Sequence, residues 1–428
     1  MRKKISLGAA LTFMAITAAV TFSITMVIAM SNFNSMVYNL KERESMYEKL
    51  SELERIVRQN FSGKIDESLL QDNIAKGFLN GLGDAYAGYY TPEQYKLLSE
   101  EYAGKTVDIG AKLEKDPSGY LVVTEVYTES SAENTGLIVG DLIIKVDELD
   151  VTANTANQAL EKLKGNAGTK VSLTVRRDKK DNQIEVTRRE VDIPSVYSKL
   201  IDTNAYIKIV EFNDNTASQF EAAVDDMIKQ GATGLIFDLR FNGGGTLNSA
   251  VAMLDKLLPE GTLVSATYKN GETKILAKSD SKQVNLPMMV LTNGDTASAS
   301  ELFVQALRDY GKAKSVGTKT FGKGSMQQQF KLNDGSAVAF TVALYNPPKS
   351  ANFNGIGLQP DFEVKIPTET EKELATLPVE DESVDLDAQL KKAVEVIEAT
   401  KKNIGEVAPG GSEGAASAAA PTNTSSAS

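Results

Sequence analysis

The chain has 428 residues, enough for two or three domains, and an ordinary hydrophobic fraction of 42%. Its 57 acidic residues outnumber its 46 lysines and arginines, and the formal charge of −11 argues against nucleic acid as a partner, because sequence-independent binding needs a basic surface. The sequence has neither cysteine nor histidine. Disulfides, cysteine nucleophiles, the Ser-His-Asp triad and the usual zinc ligand sets are therefore excluded. A hydrolase with this composition has to take its base from Lys, Asp, Glu or Tyr.

An apolar segment dominates the N-terminus. Residues 2–4 are Arg-Lys-Lys and precede a long stretch without charge, whose strongly apolar part covers about residues 7–30. About 20 such residues span a bilayer core, and a basic flank stays in the cytoplasm. We therefore predict that residues 1–31 form a single-pass anchor in the cell membrane, with the rest of the chain outside the cytoplasm. A cleaved signal peptide is the alternative, with residues 27–29, Val-Ile-Ala, as its cleavage site.

The region 36–94 is predicted to be helical. Leu50, Leu53 and Val57 recur at three- and four-residue steps among charged residues, which is the pattern of an amphipathic helix. Such a helix either packs on its own domain or pairs with a second copy beside the membrane. The pattern therefore leaves a homodimer open.

From residue 95 onwards the pattern divides into two larger units, a helix and a tail. Residues 95–180 alternate short strands with turns, and so predict a small, mostly β unit. Residues 184–366 alternate apolar strands with amphipathic helices, which is typical of an α/β sheet. Residues 380–402 predict a C-terminal helix. Residues 409–428 are mostly Gly, Ala, Ser and Thr, which bury too little apolar surface to fold, and predict a disordered tail.

A serine stands where a buried strand meets an amphipathic helix, in the segment Thr296-Ala-Ser-Ala-Ser-Glu301. At that turn, the helix amides and the positive end of the helix dipole favour a developing oxyanion near Ser298. A serine at a helix start is also an ordinary N-cap, so this segment by itself leaves both interpretations open.

A lysine between two glycines follows in Thr320-Phe-Gly-Lys-Gly-Ser-Met-Gln327. In a chain without histidine, Lys323 is a natural base for a serine, provided that burial lowers its pKa. Gln327 lies four residues on, a spacing that returns to the same face of a helix or strand. A neutral amide there can hold the amine by hydrogen bonding without stabilising its charged form. A lysine in an exposed loop is the alternative.

A glycine-rich loop follows another buried strand, in Asp238-Leu-Arg-Phe-Asn-Gly-Gly-Gly245. Its N–H groups could face a phosphate, but neither a Walker lysine nor a GxGxxG pattern follows. An oxyanion loop and a plain flexible turn are the other interpretations.

Together and in this order, these three segments resemble those of the C-terminal processing, or tail-specific, serine peptidases. The distance along the chain from Ser298 to Lys323 is also similar to that of the family's dyad. The strand-rich unit resembles the family's PDZ domain, with Asp108-Ile-Gly-Ala111 in the carboxylate-binding loop. With the further segment Gly355-Ile-Gly-Leu-Gln-Pro-Asp361, the resemblance covers most of residues 40–400.

The resemblance implies an α/β multidomain protein. Residues 184–366 would form the peptidase core-plus-cap α/β fold and residues 95–180 an inserted PDZ domain, with an N-terminal transmembrane helix and helical N- and C-terminal regions. The implied catalytic residues are the nucleophile Ser298, the general base Lys323, its orienting residue Gln327, and the oxyanion-hole amides of Gly244 and Ala299. The implied peptide-binding residues are Asp108, Ile109, Gly110, Ala111 and Lys164. Asp309 matches an acid that some members need, although a structural cap or ion pair is equally open.

Three positions depart from the family pattern. Gly243 replaces the usual proline before the glycine pair, which predicts a looser oxyanion loop. Asp108 replaces the first glycine of the PDZ loop, which disfavours a carboxylate. Lys164 stands where relatives often have an arginine, and lysine cannot make the same bidentate contact.

The sequence therefore predicts a membrane-anchored serine endopeptidase with a Ser-Lys dyad. It would cleave extracytoplasmic proteins and select unfolded C-termini through its PDZ domain, by adding the peptide to a sheet edge. The chemistry needs no metal, nucleotide or other cofactor. The alternative is a catalytically inactive scaffold that only binds peptide C-termini, which the joint presence of Ser298, Lys323 and Gln327 disfavours.

Overall fold

The computed structural model describes residues 7–407. Residues up to Ile74 form one unit, and the chain from Ala75 onwards forms another. The helices are α1 Leu7–Asn60, α2 Glu67–Asn80, α3 Pro92–Ala103, α4 Ser131–Asn134, α5 Ala156–Leu163, α6 Thr216–Lys229, α7 Leu247–Leu257, α8 Ala299–Asp309, α9 Thr368–Thr376 and α10 Ala388–Val407, with a 3₁₀ turn at Val379–Asp381.

Nineteen strands complete the described part of the chain. They are β1 Gly88–Tyr90, β2 Lys105–Asp108, β3 Ala111–Lys115, β4 Leu121–Val126, β5 Leu142–Val146, β6 Leu149–Asp150, β7 Lys170–Arg177, β8 Lys180–Thr187, β9 Arg189–Asp192, β10 Val196–Ile201, β11 Asn204–Ile209, β12 Gly234–Asp238, β13 Gly261–Tyr268, β14 Thr273–Ser279, β15 Met288–Thr292, β16 Ala313–Gly317, β17 Ser325–Lys331, β18 Ala337–Asn346 and β19 Phe362–Glu363.

The first unit is built on the long helix α1. Its segment Thr12–Met30 has a mean hydropathy of 2.1, and is long and apolar enough to cross a membrane, a test that a signal sequence also passes. The sequence pattern suggested an apolar segment followed by a separate amphipathic helix, whereas the helix runs without a break through both. The basic residues 2–4 and the predicted disordered tail 409–428 lie outside the described residues.

The central sheet of the second unit has six strands in the order β10-β11-β12-β15-β16-β19. Only β10 is antiparallel to its neighbour, and the other neighbouring pairs are parallel. Every residue of β12 and β15 is buried, which explains why both segments are continuous apolar runs. The loops that leave the carboxyl ends of β12 and β15 therefore emerge side by side at one edge of the sheet.

Helices cover both faces of this sheet. One face packs against α6, α7 and α8, where the rings of Phe220, Phe237 and Phe303 meet with centroids 5.4–6.2 Å apart. The other face packs against α10 through Leu390 and Ile397. This double cover holds β12, β15 and α8 rigidly, and they carry two of the three candidate segments.

A second, antiparallel sheet lies beside the first and carries the third candidate segment. Its order is β1-β18-β13-β14, with β17 also paired to β18. Lys323 lies two residues before β17, so this sheet fixes where the lysine loop ends. The pairing of Gly88 with Ala339 brings the chain before α3 to the same sheet. The N-cap Thr91, with a capping box and Pro92 after it, then starts α3.

The strand-rich unit forms a separate sheet in the order β3-β4-β5-β7-β8, with β6 paired to β5. Its core contains Leu121, Val123, Ile143 and Leu173, against which α5 packs its Ala156, Ala159 and Leu163 face. The short pair β2 and β9 joins this unit to the rest of the chain. Within the described residues, β3 pairs only with β4, so its outer edge is open.

Candidate active site

Ser298 lies at the turn between β15 and α8. It has φ +56° and ψ −116°, whereas an ordinary N-cap is extended, and such a conformation costs a non-glycine residue of the order of 1–3 kcal/mol. Strained strand-to-helix turns of this kind expose the nucleophilic serine of α/β-hydrolases. Ser298 also borders a cavity of about 620 Å³, which has room for a polypeptide segment.

A single buried carboxylate, that of Glu301, ties Ser298 to the lysine loop. One of its oxygens accepts from the Ser298 N–H at 3.0 Å and from the Lys323 N–H at 2.8 Å. The other accepts from the Thr320 hydroxyl at 2.5 Å and from the Gly322 N–H at 2.7 Å. Four donors compensate the burial of this charge and fix the two backbone segments relative to each other.

The two glycines around Lys323 allow its loop to pack closely on the segment 354–357. A Cβ on Gly322, where φ is +96°, would lie 2.7 Å from the backbone nitrogen of Gly357. A Cβ on Gly324 would lie 2.7 Å from the backbone nitrogen of Asn354. Larger residues at either position would therefore push the lysine loop away from its support.

The Lys323 amine is half-buried in the same cavity, where it contacts an aromatic ring. Its Nζ lies 4.6 Å from the centroid of Tyr86, in the range of a cation–π contact that favours the ammonium form. Burial lowers the pKa of Lys323, the direction expected of a lysine base, and the nearby Asp84 charge opposes that shift. Within residues 7–407, no hydrogen bond joins this amine to the Ser298 hydroxyl.

Gln327 reaches the lysine environment through a hydrogen-bonded chain. Its side-chain amide donates to Ser325 at 2.9 Å and to the Thr341 hydroxyl at 3.1 Å. Thr341 in turn donates its N–H, at 2.7 Å, and its hydroxyl, at 3.2 Å, to the Asp84 carboxylate. Gln327 is therefore linked through Thr341 to Asp84, whose charge acts on Lys323.

The loop after β12 approaches the serine through Gly244. Its φ is +100°, and a Cβ there would lie 2.9 Å from the Ser298 Cβ and 3.0 Å from the Ala299 nitrogen, so only glycine fits. The Ala299 amide opens α8, at the positive end of its dipole. The Gly244 N–H, however, donates to the Asn242 side-chain oxygen at 2.9 Å. One of the two predicted oxyanion-hole donors is thus already engaged.

A buried ion pair anchors the base of this loop. Arg240 lies 2.6 Å from Asp238 and 2.6 Å from Asp387, and all three side chains are buried. The Tyr206 hydroxyl also donates to Asp238 at 2.6 Å. Burial works against the charged form of Asp238, but Arg240 still holds the pKa of that carboxyl below its ordinary value. The start of the glycine loop is therefore firmly held.

The predicted peptide-binding residues meet at one end of the strand-rich sheet. Asp108 ends β2 and Ala111 begins β3, while between them Ile109 is buried and Gly110 has φ +80°. The Gly110 N–H donates to the Asp108 carboxylate at 2.7 Å. Burial raises the pKa of Asp108, and the charge of Lys164, at the end of α5, opposes this. The amide predicted to receive a peptide carboxylate is thus bonded to Asp108.

Comparisons with known proteins identify the family. Residues 203–364 match peptidase family S41, and residues 122–177 match a PDZ domain. Over 358 residues the chain is 31% identical to the carboxy-terminal processing protease CtpA of Bacillus subtilis (strain 168), an alignment that covers 82% of this chain and 76% of the relative. This chain belongs to the carboxy-terminal processing protease family.

Two further proteins are similar to this carboxy-terminal processing protease. The "Probable CtpA-like serine protease" of Staphylococcus haemolyticus (strain JCSC1435) is 30% identical over 355 residues, which are 82% of this chain and 71% of the relative. The solved photosystem II D1 C-terminal processing protease is 27% identical, with a TM-score of 0.44 over 73% of this chain and 86% of that one. Family membership confirms the predicted multidomain α/β fold with a PDZ domain and makes the protein a serine peptidase.

Asp309 of this protease lies at the far end of α8 from Ser298. Its carboxylate accepts from the side-chain amide of Gln305 at 2.7 Å, from the Lys349 N–H at 2.8 Å and from the Ser350 N–H at 2.9 Å. The Ser350 hydroxyl donates to it as well. These contacts are those of a structural anchor for the turn at residues 349–350.

Sequence reasoning missed four residues of the site: Asp84, Tyr86, Asn242 and Glu301. A signal existed for Glu301, because Ser-x-x-Glu at a helix start is the capping-box pattern. The predicted loop contained Asn242 without a role. Asp84 and Tyr86 come from the region before the PDZ domain, and no local pattern connects them to the lysine. Within the described residues, no group of acidic side chains is arranged to hold a metal ion.

Proposed function

We propose that this chain is a serine endopeptidase with a Ser298–Lys323 dyad that cleaves unfolded polypeptides outside the cytoplasm. The observation that carries the proposal is the Glu301 carboxylate, which holds the backbone of both residues at one cavity. A cavity that merely bound peptides would not need a strained serine and a partly buried lysine held in this way.

In the proposed reaction, the Ser298 Oγ attacks the scissile carbonyl carbon while its proton passes to the Lys323 Nζ. The C–N bond then breaks, and Lys323 returns the proton to the leaving amine. A water molecule next gives a proton to Lys323 and attacks the acyl carbon. The bond from that carbon to the Ser298 Oγ then breaks, and Lys323 returns the proton to the Oγ. Because the amine now contacts Tyr86, it has to leave that ring and be deprotonated before the first step.

We propose the Gly244 and Ala299 amides as the oxyanion hole. Support comes from the close approach of Gly244 to Ser298 and from the position of Ala299 at the start of α8. The oxyanion would take over the Gly244 N–H from Asn242, a neutral amide that loses only one hydrogen bond when it gives up this donor. Gln327 would orient the lysine through Thr341 and Asp84.

We further propose that the PDZ domain binds an extended substrate segment at the open edge of β3. Strand addition supplies main-chain hydrogen bonds that any unfolded sequence offers. The apolar segment Thr12–Met30 supports an anchor in the cell membrane, with the catalytic part on the extracytoplasmic side. Retention in membranes after a high-salt wash supports the anchor, whereas a soluble form that begins near residue 30 supports a cleaved signal.

A homodimer is a further part of the proposal. Leu50, Leu53 and Val57, on one stripe of α1, are 37%, 56% and 38% exposed, and a second copy would cover such a stripe. Light scattering of the full chain in detergent measures the oligomeric state, and a monomer at every concentration would remove this part.

The test is cleavage of fluorescently labelled, unfolded casein by the full chain in detergent micelles. We expect Ser298→Ala to abolish cleavage and Lys323→Arg to reduce it by about 10²–10⁴-fold, because a guanidinium keeps the charge but cannot accept a proton here. Lys331→Arg, an exposed lysine on β17, is the matched control and should cleave normally. Near-normal cleavage by Lys323→Arg would contradict the dyad. A wild type that binds casein without cleaving it would favour the inactive scaffold.

A further inference from the structure

The turn between β2 and β3, at the start of the proposed peptide-binding edge, already contains a carboxylate. The Asp108 side chain accepts the Gly110 N–H at 2.7 Å, and the positive φ of Gly110 turns that N–H towards it. Asp108 therefore stands where the α-carboxylate of a peptide would bind if this amide were its donor.

The open edge of β3 determines which end of a peptide meets this turn. Ala111 begins β3, directly after Gly110, and the strand runs from there to Lys115. A ligand strand that adds antiparallel to β3 runs in the opposite direction, so its carboxyl-terminal side lies next to the turn. A peptide bound with its last residue there would bring a second negative charge close to Asp108.

The turn has little room to rearrange. A Cβ on Gly110 would lie 2.3 Å from the Ser130 Cβ, so the Ser130 side chain closes one side. The neighbouring Ile109 is only 1% exposed and packs in the domain core. The backbone of Asp108 is fixed by its pairing with Arg189 of β9, so its carboxyl can leave the Gly110 amide only by a side-chain rotation.

The cations around the turn are already matched by acids. Lys164 favours the ionised form of Asp108 and lies 3.9 Å from Glu161, while Arg189, exposed on β9, is the cross-strand partner of Asp108. Arg188 donates its side chain to the carbonyls of Lys162, Leu163 and Lys170 and so serves as the C-terminal cap of α5. The negative end of the α5 dipole lies on the same side, because the Gly165 N–H donates to Val107 beside the turn.

We propose that Asp108 makes the PDZ groove select extended segments without a free α-carboxylate, that is, internal segments of an unfolded chain. This inference rests on the proposed function and specifies its substrate class. The family's substrates would then be engaged here upstream of their carboxyl end, with the terminal residues free to pass Asp108.

The test compares two forms of one peptide pool. A fluorescein-labelled dodecapeptide pool, randomised at its last four positions, is made with a free carboxyl end and with a carboxamide end. Both are titrated against the full chain carrying Ser298→Ala, in detergent, so that cleavage does not interfere. We expect the amide pool to bind about fivefold to tenfold tighter, because the free acid would place a second negative charge beside Asp108 at a partly exposed site. Asp108→Asn, which keeps the hydrogen bond to Gly110, should bring the two affinities together, and Asp108→Gly should favour the free acid.

Glu148→Gln is the matched control, because it removes a fully exposed carboxylate of the same domain, in the turn between β5 and β6, outside β3 and the turn at Asp108. It should leave the preference for the amide unchanged. Tighter binding of the free acid by the unmodified groove, a preference that Asp108→Asn does not alter, or binding of neither pool would each overturn the inference. Because cleavage of casein by the unmutated chain is measured separately, these results are distinguishable from a failure of the proposed peptidase activity.

Discussion

Two turns of this protease share one backbone design and differ in one charge. At the catalytic loop, the Gly244 N–H donates to Asn242 at 2.9 Å; at the PDZ loop, the Gly110 N–H donates to Asp108 at 2.7 Å. Both glycines have positive φ. In both turns the side chain that accepts the glycine N–H, which we call the cap, belongs to the residue two positions earlier. Each amide is one that sequence reasoning assigned to an anion.

The caps differ in what they do to an approaching anion. Asn242 is neutral and buried, with its own amide donated to Ile209 at 2.8 Å, and the catalytic cavity contains the Lys323 amine. Asp108 is an acid, and the nearby Lys164 favours its ionised form. In the proposed roles, the same turn would yield its N–H to an oxyanion in one place and repel a carboxylate in the other, because the two acceptor side chains differ in charge.

The largest effect is expected when the catalytic turn is given the charge of the PDZ turn. Asn242→Asp keeps an acceptor for Gly244 but places a negative charge beside the oxyanion, and kcat should fall by about 10²–10³-fold, as for the loss of an oxyanion-hole donor. KM should change much less. The loss of the bond to Ile209 also lowers the melting temperature, so the kinetics are measured well below it.

Asn293→Asp is the matched control for that variant. Asn293 is buried, accepts the Phe241 N–H of the same loop and donates its amide to Glu371 at 3.1 Å. Asn293→Asp therefore sets two carboxylates together and should lower stability at least as much as Asn242→Asp. Its kcat should stay at least about tenfold above that of Asn242→Asp, because the new charge lies beside Phe241 and not beside Gly244. Equal kcat values for the two variants would show that loop stability, and not the charge of the cap, controls the rate.

The Glu301 carboxylate can be compared with that of Asp108. Glu301 is fully buried and accepts four hydrogen bonds, whereas Asp108 is only partly buried. Glu301→Gln turns an NH₂ group towards two of those donors, and the free energy of unfolding should fall by about 2–4 kcal/mol. Asp108→Asn keeps an acceptor for the Gly110 N–H and should change the free energy of unfolding by less than about 0.5 kcal/mol. Urea unfolding of both variants measures the difference, and equal losses would mean that Glu301 does not hold the two catalytic segments together.

The smallest expected effect concerns the cation of the catalytic cavity. The Tyr86 ring favours the ammonium form of Lys323, so Tyr86→Leu should lower the pKa of that amine. The free amine then exists at lower pH, and the rising limb of kcat/KM against pH should move down by about 0.5–1 pH unit. Tyr86→Phe keeps the ring face and should leave the limb in place. A shift to higher pH, or equal shifts in both variants, would contradict the contact.

Much of the central sheet could be predicted from the sequence, because its strands are buried on both faces. The apolar runs 234–239 and 288–292 and the amphipathic pattern 300–310 predict elements close to the observed β12, β15 and α8. Ser298 and Lys323 stood out because the chain has no histidine and because the segments around them are specific in combination.

The contacts that control the site could not be predicted in the same way. Tyr86 and Asp84 reach Lys323 only because β1 pairs with β18, a tertiary contact without a local signal. The hydrogen bonds that occupy Gly244 and Gly110 depend on side-chain rotamers, which spacing does not reveal. The sequence shows that Asp108 replaces a glycine of the family pattern, but only the structure shows that its carboxylate accepts the Gly110 N–H.

The most direct test of the account is a crystal structure of the protease inactivated at Ser298 by a fluorophosphonate, whose phosphonyl oxygen imitates the oxyanion. We predict that this oxygen lies about 2.7–3.1 Å from the Gly244 and Ala299 amides. Asn242 should then have given up the Gly244 N–H, while the Gly110 N–H stays bonded to Asp108. A phosphonyl oxygen bound elsewhere, with Gly244 still donating to Asn242, would contradict the claim that a neutral cap yields to an anion.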